Sequence, residues 1–148
     1  MKKKHTYYGY EVKIQLLKEA VPTKSYQIRS SEDAYQFVRG DLLAYDREAF
    51  FVITLNSKNR ILGINLISLG SLTSSLVHPR EVFKTAILQN SASIILIHNH
   101  PSGDPAPSND DIEITQRLKT AGDSLGIKIL DHIIVGDNYF SFLDQKML

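Results

Sequence analysis

Two histidines separated by one residue, and an aspartate eleven positions further on, are the side chains in this sequence whose types and spacing best suit metal chemistry. His98 and His100 end an apolar run, SIILIH at residues 93–98, that predicts a buried central strand. Side chains two apart in a strand point to the same side, so we expect the two imidazoles to converge. Asp111 would add a carboxylate as third ligand, which leaves one position open, as catalytic zinc requires.

The segment that separates the histidines from the aspartate should bring them together. Residues 99–107 hold three prolines and one glycine, which is typical of a stiff loop. A helix is then predicted from Ser108 to about residue 121, with Ile112 and Leu118 facing inward. The spacing of Ser108 and Asp111 also fits an ordinary helix N-cap, and two other serine–aspartate pairs, at positions 30/33 and 141/144, repeat it. The pair therefore has a structural interpretation beside the chemical one.

Periodicity and turn residues predict an α/β fold with a mixed β-sheet packed against helices in one layer system. An N-terminal extension with one strand is expected at residues 1–29, followed by a single compact domain at residues 30–148. The second and third strands should form a hairpin across the turn at residues 56–59. Strands are predicted at residues 10–17, 49–55, 60–69, 93–98, 127–135 and 139–140, and helices after Ser30, from Pro79 to about residue 89, and after Ser108.

Composition excludes several classes of protein. The chain has 148 residues, of which 43% are hydrophobic, so a folded domain is expected rather than a disordered tail. It contains no cysteine, which removes disulfides, thiolate zinc sites and a cysteine nucleophile. The net charge of +1 gives no strong field toward nucleic acid, and no apolar run approaches the roughly 20 residues of a membrane span. We expect a soluble, cytoplasmic protein without membrane contact.

The order of the motifs resembles a known family. His98-x-His100, seven intervening residues, Ser108, two more and Asp111 resemble the JAMM signature of the MPN+ metalloprotease superfamily. Three further stretches look like the RadC family, and the resemblance covers roughly Ser30 to the C-terminus. They are residues 77–83 (VHPREVF), 98–104 (HNHPSGD) and 131–136 (DHIIVG).

The resemblance implies an MPN/JAB fold, similar to that of cytidine deaminases, and a zinc-dependent hydrolase that acts on peptide or isopeptide bonds of a protein substrate. In that family pattern His98, His100 and Asp111 hold zinc, with a water at the fourth position. Glu48 occupies the place of the upstream glutamate and would be the general base. Ser108 would donate its hydroxyl to the oxygen that gains charge, a role expected to compete with capping the helix.

Other acids and imidazoles have more than one interpretation. Glu48 could be a solvated glutamate at the start of a strand, with Glu81 as its rival for the catalytic role. His132 lies in a strand that is apolar on both faces, which favours a buried core histidine over one that orients a metal ligand. Asp104 is a loop residue that could also support the site.

Two alternatives to hydrolysis are also compatible with the sequence. RadC-like proteins often carry a DNA-repair label, yet the helix-hairpin-helix segment of the longer members is expected to be absent here, and the basic residues cluster only at residues 2–4. Asn99 stands where many members of the wider superfamily have serine or threonine, which leaves the substrate in question. A metal-bearing interaction module without turnover would share the same fold. The sequence does not fix the oligomeric state.

Overall fold

A computed structural model describes residues 26–70 and 77–148 of the chain. Over these ranges it has the predicted α/β fold with a mixed sheet. The strand predicted at residues 10–17 lies outside the described residues. The elements are α1 (Ser31–Leu42), β1 (Ala49–Leu55), β2 (Ile61–Leu69), α2 (Pro79–Leu88), β3 (Ser93–Asn99), α3 (Asn109–Leu125), β4 (Lys128–Val135) and β5 (Tyr139–Ser141).

The five strands form one sheet in the order β2-β1-β3-β4-β5. β1 and β2 form the predicted antiparallel hairpin, and β1 also pairs antiparallel with β3. β3 and β4 are parallel, because α3 carries the chain back across the sheet between them. Every residue of β3 is buried, as the continuous apolar run predicts for a central strand.

Helices cover both faces of the sheet, with α2 and α3 on one face and α1 on the other, which gives three layers. Alternate side chains of β1 and β3 point to opposite faces. Phe50 and Leu96 pack toward α2 and α3. Ile53 and Ile97 pack toward α1. His98, two positions after Leu96, therefore points to the side of the sheet that α3 covers.

α3 differs from the prediction in two respects, its C-terminal end and the burial of one residue. The helix runs to Leu125, one turn beyond the predicted end, because Gly122 continues it and Gly126 stops it in a left-handed conformation with φ of 71°. Ile112 is only half-buried, whereas Leu118 is fully buried as predicted. Among the described helices, α1 to α3, none combines the length and apolar character needed to cross a membrane.

Candidate metal centre

Three side chains meet at the C-terminal end of β3. The Nε2 atoms of His98 and His100 lie 3.0 Å apart. The Asp111 carboxylate lies 3.2 Å from the His98 nitrogen through Oδ1 and 3.3 Å from the His100 nitrogen through Oδ2. Each residue offers one ligand atom, and these atoms lie within 4.8 Å of one another. The structure thus brings together the three residues that the sequence singled out.

The spacing of these atoms suits a small divalent cation. Zinc binds imidazole nitrogen and carboxylate oxygen at about 2.0–2.2 Å in tetrahedral sites, so the ligand atoms of such a site lie about 3.3 Å from each other. The two nitrogens lie 3.0 Å apart and each lies 3.2–3.3 Å from one of the two carboxylate oxygens, so the three side chains are close enough to share one ion. Two nitrogens and a carboxylate are also a ligand set that zinc accepts.

The loop after β3 fixes the ring of His100. The backbone N–H of His100 donates to Val135 O (2.8 Å), which extends the pairing with β4 by one residue. Its Nδ1–H donates to Asp104 O (2.8 Å), which directs its Nε2 toward the cluster. Asp104 thus supports the site through its carbonyl, while its carboxylate accepts from Ala106 N (2.9 Å) within the loop.

This loop lies against the turn after β4. Asp137 N donates to Gly103 O (2.7 Å), which closes the contact between the two segments. A Cβ atom added at Gly136 would lie 2.2 Å from that same oxygen, so only glycine allows the approach. The position of His100 therefore depends on a turn 36 residues away in the chain.

Ser108 and Asp111 form a complete capping box at the start of α3. Ser108 Oγ accepts from Asp111 N (3.1 Å), and Asp111 Oδ2 accepts from Ser108 N (2.8 Å). The cap interpretation and the convergence with the histidines therefore hold together. A capping hydroxyl accepts a hydrogen bond and keeps its own proton, so the cap leaves Ser108 able to donate. Ser108 is exposed, so that proton is accessible to a substrate.

Burial and charge act against each other in this cluster. Burial lowers the pKa of His98, although Asp111 opposes this effect. The hydrogen bond with Asp111 raises the pKa of His100, and the charge of Glu48 adds to it. Burial would raise the pKa of Asp111, but the neighbouring imidazoles of His100 and His98 hold that pKa well below its ordinary value. Asp111 is therefore a carboxylate, able to bind a cation, at neutral pH.

Glu48 lies immediately before β1 and outside the group of ligand atoms. It is half-buried, its carbonyl accepts from Gly70 N (2.8 Å), and it lines an open cleft with Gly70 and Pro101. The buried Asn99 holds the backbone on both sides of it. Asn99 Oδ1 accepts from Ala49 N (2.7 Å), and Asn99 Nδ2 donates to Arg47 O (3.0 Å). The residue between the two histidines thus ties the strand that bears them to the segment that bears Glu48.

His132 is fully buried, as predicted for a core histidine, yet it also contacts the cluster. Its Nε2 lies 2.9 Å from His98 Nδ1, and its Nδ1 lies 2.6 Å from the hydroxyl of Thr115. Burial lowers the pKa of His132 well below its ordinary value, so its ring is neutral. Sequence reasoning missed Thr115. The available signal was its position four residues after Asp111, which places both on one face of α3.

A mixed five-stranded sheet between helices, with a histidine–histidine–aspartate group at the end of its central strand, defines a domain of the JAB/MPN type. Comparison with models of known protein families identifies the family within this type. The chain belongs to the RadC family, because the model of the RadC-like JAB domain matches residues 28–147.

Curated relatives agree with this assignment. A UPF0758 protein of Desulforudis audaxviator is 55% identical over 121 residues, and one of Bacillus licheniformis is 53% identical over 121 residues. A UPF0758 protein of Chlorobaculum parvum is 50% identical over 123 residues. Each match covers 82% of this chain but only 53–55% of the relative. The chain therefore spans about half the length of these relatives.

Proposed function

We propose that this domain is a zinc-dependent hydrolase that cleaves a peptide or isopeptide bond in a protein substrate. The observation that carries the proposal is the convergence of His98, His100 and Asp111, whose two Nε2 atoms lie 3.0 Å apart and each lie 3.2–3.3 Å from a carboxylate oxygen. Two imidazole lone pairs and a carboxylate repel one another at this distance unless a proton or a cation lies between them. One proton can lie between only two of these groups, whereas one divalent cation can bind both imidazoles and the carboxylate at once.

One side of the site is accessible from solvent, as a protein substrate would require. His98 is fully buried and Asp111 nearly so, while the side chain of His100 is 12% exposed. The cluster is thus closed on the side of the core and reachable from the loop that carries His100. Phe50 stacks on the His98 ring, with centroids 5.9 Å apart, and helps to exclude water from the inner side. A bound zinc ion would polarise a carbonyl and lower the pKa of water toward about 7.

Two side chains around the cluster would complete the chemistry. The Glu48 carboxylate would take a proton from the attacking water and pass it to the nitrogen of the leaving amine. The Ser108 hydroxyl would donate to the scissile carbonyl oxygen as negative charge develops there. Water adds to the carbonyl carbon, the C–N bond breaks, and the products are a carboxylic acid and an amine.

The test combines metal analysis with product detection. The purified chain is loaded with zinc, its metal content is measured, and it is incubated with linear peptides and with peptides joined through a lysine side chain. Mass spectrometry then detects new carboxyl and amine ends. Replacing Glu48 by Gln should keep about one zinc per chain and lower hydrolysis by about 10²–10⁴-fold, the usual contribution of a general base. Glu113→Gln, on the exposed face of α3, is the matched control and should hydrolyse normally.

The outcomes separate the proposal from its alternatives. A wild-type chain that takes up no zinc contradicts the metal centre. Zinc binding without hydrolysis of any substrate favours the non-catalytic module. Hydrolysis that survives Glu48→Gln means that the base is assigned wrongly. DNA association is tested in parallel by anisotropy with labelled duplex at low salt, where binding that weakens as salt rises would support the accessory role.

A further inference from the structure

A buried chain of hydrogen bonds leads from the backbone of α3 to the inner side of His98. The Thr115 hydroxyl lies 2.6 Å from Asp111 O and 2.6 Å from His132 Nδ1. His132 Nε2 lies 2.9 Å from His98 Nδ1. Thr115, His132 and His98 are all fully buried, so no water competes for these contacts. Neither Thr115 nor His132 offers an atom to the ligand group.

The chemistry of the four groups sets the direction of this chain. The Asp111 carbonyl can only accept, so the single hydroxyl proton of Thr115 must point to it. If that proton pointed to His132 instead, two oxygens would face each other at 2.6 Å with no hydrogen between them. The Thr115 oxygen therefore accepts from His132 Nδ1–H. A neutral imidazole has one N–H, so His132 Nε2 accepts in turn from His98 Nδ1–H.

We propose that Thr115 and His132 are positioning residues that hold His98 in the tautomer whose bare Nε2 faces His100 and Asp111. The inference rests on the metal centre of the proposed function and adds to it how one ligand is prepared for the ion. Imidazole ligands are commonly oriented by a partner of their second nitrogen, and removing such a partner usually weakens metal affinity by about 10–100-fold.

Asp111 takes part both in the ligand group and in the hydrogen-bond chain behind it. Its carboxylate faces the two Nε2 atoms of the histidines. Its backbone carbonyl accepts the hydrogen bond from Thr115, which lies one helical turn further along α3. A shift of α3 would therefore move the carboxylate and disturb the His98 tautomer together. His132 is held in turn by the sheet, where it pairs with Leu96 on β3, and by the ring of Phe142, whose centroid lies 4.9 Å away.

The first measurement is zinc affinity, by competition with a chromophoric chelator. Thr115→Val removes the hydroxyl at nearly constant volume, and we expect it to weaken zinc binding by about 10–100-fold. Thr115→Ala should give a similar loss, and Thr115→Ser, which restores the hydroxyl, should bind close to the wild type. Thr120→Val is the matched control, because Thr120 makes the same kind of bond to a carbonyl one turn back (3.1 Å) on an exposed part of α3.

The second measurement reads the tautomer without metal or activity. Long-range ¹⁵N–¹H correlation spectra of the zinc-free protein, labelled at histidine, should show Nδ1–H on both His98 and His132. Thr115→Val should make the His132 signals a mixture of tautomers. A role confined to folding would lower the melting temperature and leave the tautomers unchanged.

The possible results distinguish a failure of this inference from a failure of the proposed function. Wild-type zinc binding with unchanged affinity in both Thr115→Val and Thr115→Ala overturns the inference and leaves the metal centre standing. A proton on His98 Nε2 in the zinc-free spectrum overturns it as well. Failure of the wild type to bind zinc overturns the proposed function and this inference together.

Discussion

Replacing Asn99 by alanine tests whether the residue between the two histidines holds the segment that carries Glu48. The Asn99 side chain is nearly fully buried and makes two bonds across the sheet, accepting from Ala49 N and donating to Arg47 O. Alanine can make neither bond. The substitution therefore leaves two backbone groups without their partner, one on each side of Glu48.

The magnitude follows from the burial of each group. Ala49 is fully buried, so its N–H would stay unpaired, which costs about 1–3 kcal/mol. Arg47 is exposed and its bond with Asn99 is only partly buried, so we expect water to replace the amide at its carbonyl and the added loss to be small. We expect a loss of about 2–3 kcal/mol in the free energy of unfolding. For a chain of this length that corresponds to a fall in Tm of about 6–10 °C.

The assay is urea unfolding of Asn99→Ala beside a matched substitution, Asn65→Ala. The Nδ2 of Asn65 is buried and has no hydrogen-bond partner among the described residues, so its removal should cost less than about 1 kcal/mol. Amide hydrogen exchange at Ala49 should also accelerate in Asn99→Ala. Equal stability losses in the two variants, or an unchanged exchange rate at Ala49, would show that Asn99 does not hold the backbone beside Glu48.

Two further predictions concern other parts of the site. Ser108→Ala should lower the free energy of unfolding by about 1 kcal/mol and slow hydrolysis by about 10²-fold. Zinc affinity should stay near that of the wild type, because the bond from Ser108 N to Asp111 survives; a large loss of affinity would show that the hydroxyl itself is needed. Burial raises the pKa of Asp131, so its contribution to stability is present below pH 3.8 and is lost as the pH rises through that raised pKa. The stability of Asp131→Asn relative to the wild type should therefore improve from pH 3 to pH 7 in urea titrations, and a constant difference would contradict this assignment.

The elements that could be predicted are those with a strong local signal. The apolar run of β3, the hairpin of β1 and β2 and the cap at Ser108 all depend on residues close together in the chain, and the structure has them where expected. The end of α3 could not be placed as well. The helix continues through Gly122 and ends only where Gly126 adopts the left-handed conformation.

The parts that could not be predicted depend on contacts between distant segments. Nothing near Asn99 in the sequence indicates that its amide reaches Ala49 and Arg47, about fifty residues earlier. The contact of His132 with His98 requires the parallel pairing of β3 and β4, which only the sheet order reveals. The amide and the imidazole were visible as residue types, but their partners depend on topology.

The cap at Asp111 has two internal counterparts that show what separates a structural pair from a ligand. Ser30 accepts from Asp33 N (3.1 Å), and Ser141 accepts from Asp144 N (3.0 Å), so the same serine–aspartate spacing gives the same local bond. Only Asp111 belongs to the ligand group found among the described residues. The cap fixes the carboxylate at the positive end of a helix, where negative charge is favoured. Asp111 differs from Asp33 and Asp144 because the stiff loop after β3 brings the start of α3 back to the two imidazoles at the end of that strand. This position makes Asp111 a candidate ligand.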